Sequence, residues 1–164
     1  MKIVCDAGPI IHLHESELLH LLKNFGDVYT TDSVYLEVAH IAQLKKNWPN
    51  WIRVEHIGNV EAKEVELISR AGDLHKGEAE SFILCRNLKA DIFFTDDMMA
   101  RIFAESFGIH VRGSLGVVLW NVAKGKLNIK QGIDALKKLK NSSLWIADKV
   151  MKEALKAIDE INKN

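Results

Sequence analysis

The chain has 164 residues, of which 48% are hydrophobic and 27% are charged, as in an ordinary soluble globular protein. Lysine plus arginine and aspartate plus glutamate both number 22. This balance excludes binding to nucleic acid or membranes through overall charge, although a local basic patch is compatible with it.

We expect one domain over residues 1–164, which would bury roughly two thirds of the surface of its unfolded chain. The sequence carries no recognisable signal peptide, and no apolar run approaches the roughly 20 residues of a membrane span. Cys5 and Cys85 lie in apolar segments and lack CxxC spacing. They are expected to be buried free thiols, which fits a reducing cytoplasm.

Strands alternate with helices along the chain, and this order predicts an α/β fold with a parallel sheet and helices on both faces. In chain order we predict a strand at 2–5, then a helix that begins at Pro9 and whose continuation ends at Gly26, and then a strand at 28–30. The next helix is capped by Thr31, Asp32 or Ser33, and its apolar stripe comprises Val34, Val38, Ile41 and Ala42. An edge strand at 52–57 follows. There follow a helix at 60–70, a loop at 71–77, helices at 78–88 and 98–107 around a strand at 92–94, a short strand at 109–111, and helices at 113–123, 127–139 and 145–161.

The apolar run Ile92–Phe94 reads as a strand buried on both faces, and it leads directly into Thr95, Asp96 and Asp97. Because ligands of open α/β sheets bind at the carboxyl ends of strands, these acids are candidate site residues. The alternative for each is capping of the following helix.

Other acids lie where the same edge could collect them. Asp6 ends the first strand, and Glu37 flanks the apolar stripe of its helix. Glu78 and Glu80 lie in the first turns of another helix, where the helix dipole alone would favour an acid. Whether Glu78 or Glu80, and Asp96 or Asp97, is the principal ligand stays open.

Several carboxylates in one cleft repel each other unless some are protonated or a cation neutralises them. Ligation by oxygen alone favours Mg²⁺ or Mn²⁺ over zinc, and such ions support phosphodiester hydrolysis. Arg101, one helical turn beyond Asp97, is a candidate phosphate ligand, or else an ion-pair partner of these acids.

These motifs carry a family resemblance: Ile3-Val4-Cys5-Asp6 with Gly8-Pro9, the helix-borne Glu37, Gly77-Glu78-Ala79-Glu80, Thr95-Asp96-Asp97, and Gly113-Ser114-Leu115-Gly116. The chain resembles a PIN domain over nearly its whole length, and in particular the VapC-like toxin ribonucleases of archaea and bacteria. The resemblance implies a three-layer α/β/α sandwich with a mainly parallel sheet of four to five strands. The lysine-rich helices at about 127–161 would belong to the same domain.

The resemblance also implies a Mg²⁺- or Mn²⁺-dependent endoribonuclease that is often a homodimer and often paired with an antitoxin. Carried over by motif, the metal-binding acids are Asp6, Glu37, Glu78 and Asp96, with Asp97 as a helper. Thr95 matches the hydroxyl residue that orients a water at the metal. His75 departs from the family pattern, in which an aspartate is common at this position.

Two rival functions remain. The chain could be a non-catalytic PIN-fold module for binding or dimerisation, or a metal-dependent nuclease that acts on structured DNA.

A P-loop NTPase is excluded because no GxxxxGK[ST] motif occurs. His12 and His14 are expected to be surface or partly buried histidines rather than zinc ligands, and the four tryptophans are expected to pack in the core or in a dimer rather than to stack on bases. The basic stretch at 124–140 is expected to be a solvated helix face, with RNA backbone contact as its alternative.

Overall fold

The computed structural model describes residues 1–40, 44 and 46–161, and it contains one five-stranded sheet. All four strand pairs are parallel, and the spatial order is β3-β2-β1-β4-β5. The strands are β1 (Lys2–Cys5), β2 (Asp27–Thr31), β3 (Ile52–Glu55), β4 (Ile92–Phe94) and β5 (Val111–Arg112). The helices are α1 (Ala7–Glu15), α2 (Asp32–Val38), α3 (Asn59–Gly72), α4 (Lys76–Leu88), α5 (Met98–Ser106), α6 (Ser114–Ala123), α7 (Ile129–Lys140) and α8 (Asp148–Ile161), with a 3₁₀ helix at Leu19–Phe25.

Side chains alternate across the sheet and bury two hydrophobic layers. Ile3 and Cys5 of β1 belong to one core cluster, which α1, α6, α7 and α8 complete. Val4 and Phe93 point to the opposite face, into a cluster completed by α3, α4 and α5. The predicted three-layer α/β/α sandwich is therefore confirmed, and the parallel central strands are buried on both faces as their apolar sequences indicate.

The boundaries differ from the sequence prediction mainly between α3 and α4. The predicted loop at 71–77 is wrong at both ends, because α3 continues to Gly72 and α4 begins at Lys76. The last strand is Val111–Arg112 rather than 109–111, and α8 begins at Asp148 rather than at Trp145. Ile41 and Ala42 of the predicted stripe lie outside the described residues.

Several local predictions are confirmed. The hydroxyl of Thr31 caps α2 by accepting from the N–H of Val34 at 3.2 Å. Gly26 ends the 3₁₀ helix with φ 124°, a conformation that only glycine adopts readily. Cys5 and Cys85 are buried free thiols, and burial raises the pKa of both. Among the described helices, none is long and apolar enough to cross a membrane.

Candidate functional site

The carboxyl ends of β1 and β4 bring Asp6 and Thr95 together. The two strands are in register, with Cys5 opposite Phe94, and the N–H of Asp6 donates to the carbonyl of Phe94 at 2.9 Å. The Thr95 hydroxyl donates to Oδ2 of Asp6 at 3.1 Å and accepts from the N–H of Asp97 at 3.2 Å. Thr95 is fully buried, so it acts on the site through Asp6.

A cleft of about 800 Å³ opens above this edge of the sheet, and we call it the carboxylate cleft. The four acids predicted as metal ligands and their proposed helper all line it. They come from the ends of β1 and β4 and from α2 and α4. The acids of the carboxylate cleft are Asp6, Glu37, Glu78, Asp96 and Asp97.

Asp6 lies at the bottom of the carboxylate cleft, with 5% of its surface exposed. It occupies the N-cap position of α1, but its side chain forms no capping hydrogen bond there. Burial, with a smaller contribution from the negative charges of Glu78 and Glu37, raises the pKa of Asp6 from 3.8 to about 7. Hydrogen bonds from Ala7 and Thr95 lower this pKa and so limit the rise. The capping alternative therefore does not explain why this acid is here.

Glu78 and Glu37 face Asp6 from two different helices. Partial burial raises the pKa of Glu78, and the charges of Asp97 and Glu37 raise it as well. The N–H of His75, which donates to Oε2 of Glu78 at 2.9 Å, lowers it. Glu37 is exposed, and its Oε2 lies against the start of α4, where a Cβ added to Gly77 would be 3.6 Å from it. Neighbouring carboxylates thus contribute to the raised pKa of both Asp6 and Glu78, which indicates that these two acids share one electrostatic environment.

Asp96 is held by two residues that sequence reasoning missed. Its Oδ1 accepts from the N–H of Ser114 at 2.7 Å, and its Oδ2 accepts from the Ser114 hydroxyl at 2.6 Å and contacts Nδ1 of His12 at 2.7 Å. His12 reaches this position from α1, which starts directly after Asp6. In the sequence, the Gly113-Ser114 motif was a signal that Ser114 belongs to the site. For His12 the sequence held no such signal beyond its position a few residues after Asp6.

The remaining predicted site residues take distinct positions. Asp97 is the N-cap of α5, because its Oδ1 accepts from the N–H of Ala100 at 2.8 Å. Glu80 is buried and does not line the carboxylate cleft; its Oε1 lies 3.4 Å from Nζ of Lys76, and its Oε2 has no hydrogen-bond partner among the described residues. Arg101 lines a second pocket that also contains Asp96. Of the two glutamates left open by the sequence, Glu78 is the one in the cleft.

The donor set of the carboxylate cleft suits a hard divalent cation. All five acids offer oxygen ligands, and Asp6 is buried beside other carboxylates, which a cation would relieve. In the part of the chain described, however, no three such groups already converge as a coordination sphere.

Comparison with known proteins agrees with this architecture. A family model described as a PIN domain matches residues 2–160, which is nearly the whole chain. Neither the curated proteins nor the solved structures contain a match to the chain.

Proposed function

The chain belongs to the PIN domain family, whose members are typically nucleases, and we propose that it is a divalent-metal-dependent endoribonuclease. Asp6, Glu37, Glu78 and Asp96 would hold Mg²⁺ or Mn²⁺, with Asp97 at the rim. The substrate would be an RNA phosphodiester, which the cleft would hydrolyse with water.

The burial of Asp6 among other acids is the observation that carries this proposal. A carboxyl group that is 5% exposed and has a pKa of about 7 destabilises the folded protein at neutral pH unless a cation compensates it. Perturbed acids in a cleft are typical of functional sites. PIN nucleases generally use divalent metals, and the oxygen donors here fit that chemistry.

The roles of the chain's own residues follow from their contacts. A divalent metal, when bound, would polarise the attacking water and stabilise the charge that builds up on the phosphate. Thr95 orients Asp6 through the 3.1 Å hydrogen bond, and Ser114 and His12 fix the plane of Asp96. Glu37 and Glu78 line the same cleft from two different helices, so they would face the substrate from two sides.

The finer assignments rest on the family resemblance. A toxin role, a cognate antitoxin and a homodimer are carried over from the VapC-like proteins and enter the proposal with that support only, whereas a cytoplasmic location is proposed from the two buried free thiols.

The test compares wild type with Asp6→Asn in two measurements. Titration with Mn²⁺ by calorimetry should give binding for wild type and a loss of at least about tenfold in affinity for the variant. Cleavage of RNA and DNA oligonucleotides is then assayed under identical metal conditions, with EDTA as the control. RNA cleavage that needs the metal and Asp6 supports the proposal; preferential cleavage of structured DNA, or cleavage by Asp6→Asn, contradicts it.

A non-catalytic PIN-fold binding module is the second candidate, and a specific observation favours it. Asp96, Asp97 and Glu78 are all engaged in hydrogen bonds with the protein, and no described trio of groups is arranged for a metal. For this module we expect binding of a partner with no cleavage of any RNA, at any Mn²⁺ concentration.

A further inference from the structure

A second pocket of about 440 Å³ adjoins the carboxylate cleft, and its chemistry differs from that of the cleft. The two share Asp96, Leu144 and Trp145 in their walls. The second pocket adds Arg101 and Arg112, and we call it the arginine pocket. A nucleic acid strand that crosses the acids can therefore continue into the arginine pocket without leaving the surface.

The two guanidinium groups of the arginine pocket have no acidic partner in the described part of the chain. The other three arginines form ion pairs, Arg53 with Asp27, Arg70 with Glu66 and Arg86 with Glu64. Among the described residues neither Arg101 nor Arg112 forms an ion pair, although Glu153 also lines the pocket. The only hydrogen bond described for the side chain of Arg112 is the one that Nη1 donates to the carbonyl of its neighbour Val111, at 3.0 Å.

Gly113 lets Arg101 approach the acids. A Cβ added to Gly113 would lie 2.7 Å from Oδ1 of Asp96 and 3.3 Å from Nη1 of Arg101, so these two atoms lie within about 6 Å of each other. They exceed ion-pair distance, yet they are near enough to contact adjoining groups of one ligand. The arginine pocket thus places positive charge directly beside the proposed reacting position.

Trp145 forms the wall between the cleft and the arginine pocket, and its side chain is unusually exposed. It is 84% exposed, so it does not pack in the core, and its packing in a dimer stays a prediction. It lies in the segment between α7 and α8, beside the apolar side chains of Ile146 and Val150 in the arginine pocket. An exposed indole next to unpaired arginines is the combination on which single-stranded bases stack while their phosphates are neutralised.

We propose that the arginine pocket binds the nucleotide next to the scissile phosphate of a single-stranded RNA. Arg101 and Arg112 contact its phosphate, and its base stacks on Trp145. A pocket of this volume is in the range of small-ligand sites. A duplex is disfavoured because its bases are already stacked and paired. This inference rests on the proposed function, since the carboxylate cleft supplies the reacting position that the pocket adjoins.

The first test measures binding without cleavage. A fluorescent single-stranded RNA decamer is titrated in EDTA at low salt, by anisotropy, with wild type, Arg101→Gln/Arg112→Gln and Trp145→Ala. We expect a Kd at least about tenfold weaker for each variant, and for the double variant a salt slope smaller by roughly 0.7 for each phosphate that the protein no longer neutralises. The matched controls are Arg70→Gln and Leu67→Ala, which change an arginine and an exposed apolar side chain that line neither the carboxylate cleft nor the arginine pocket.

Wild type that binds the decamer no better than these pocket variants overturns the proposal. Equal reductions in affinity for duplex RNA overturn the assignment to a single strand. Circular dichroism confirms that each variant is folded, which the exposure of Trp145 and Arg112 favours.

Steady-state cleavage separates this inference from the proposed function. If wild type cleaves RNA with Mn²⁺, the pocket variants should raise KM about tenfold with little change in kcat. Cleavage with unchanged KM and unchanged Kd leaves the nuclease standing and overturns the pocket. Weaker RNA binding by the variants, with no cleavage by wild type, supports the pocket and overturns the nuclease.

Discussion

Replacing Asp6 with asparagine should stabilise the metal-free protein while it abolishes the proposed activity. The pKa of Asp6 is about 7 rather than 3.8, mainly because the carboxyl group is buried. This difference is roughly 3 units, and at roughly 1.4 kcal/mol for each unit the ionised carboxylate costs the folded state roughly 4 kcal/mol above pH 7. Asparagine removes the charge but keeps the shape.

Part of this gain in stability is offset because the amide group of asparagine has an NH₂ in place of one of the two acceptor oxygens of aspartate. Asp6 accepts hydrogen bonds from Thr95 and from the N–H of Ala7, and the asparagine amide can keep only one of them as an acceptor. An unsatisfied buried partner costs about 1–3 kcal/mol, so we expect a net gain of about 2 kcal/mol at pH 8. For a chain of this length that corresponds to a rise in Tm of about 4–8 °C.

The dependence on pH identifies the cause. Between pH 3.8 and about 7 the folded state holds a proton on Asp6 that the unfolded state releases. The free energy of unfolding contributed by Asp6 therefore falls as pH rises through this window and is constant above it. The advantage of Asp6→Asn should be largest at pH 8 and should shrink toward pH 4.

The assay is urea denaturation in EDTA at pH 5 and at pH 8, with unfolding monitored by circular dichroism. Asp97→Asn is the matched control, since Asp97 is an exposed acid of the same cleft and asparagine caps helices as well as aspartate does. Added Mn²⁺ should stabilise wild type and not Asp6→Asn. A variant that is less stable than wild type at pH 8, or one whose stability parallels wild type at all pH values, would refute the reasoning.

Three further predictions test other contacts. Gly113→Ala should reduce the proposed cleavage at least about tenfold, because its Cβ would lie 2.7 Å from Oδ1 of Asp96 and would break the Ser114 hydrogen bond. Gly58→Ala is the control, because Gly58 lies outside the carboxylate cleft and its Cβ would meet nothing closer than 3.6 Å; equal activities of the two variants would contradict the prediction. Gly132→Ala should lower the free energy of unfolding by about 1–3 kcal/mol despite the helix propensity of alanine, since its Cβ would clash with Cγ2 of Val122; unchanged urea midpoints would contradict this prediction. Glu64→Gln should cost only about 0.5 kcal/mol at pH 7, because the pair with Arg86 is partly exposed. The hydrogen bond from Arg86 lowers the pKa of Glu64, so this difference is present above the ordinary pKa of glutamate and is lost as pH falls through the lowered pKa, which thermal denaturation at several pH values can check.

The sequence by itself determined the sheet and the place where its acids meet. The apolar runs at Ile3–Cys5 and Ile92–Phe94 are too continuous for half-exposed strands, and their alternation with helices leaves a parallel sheet as the solution. Parallel strands end at the same edge, so Asp6 and Asp96 were expected at one edge of the sheet, and the pairing of β1 with β4 brings them close together.

Only the tertiary structure decided how each acid is held. His12 and Ser114 reach Asp96 across 84 and 18 residues, and no local pattern fixes such a distance. Glu78 and Glu80 are two residues apart on one helix and therefore face different directions; the packing of α4 places Glu78 in the cleft and buries Glu80. The position of Trp145 likewise depends on how the segment between α7 and α8 crosses the carboxyl edge of the sheet. Contacts between distant elements are set by packing geometry, and helical or strand periodicity carries no information about them.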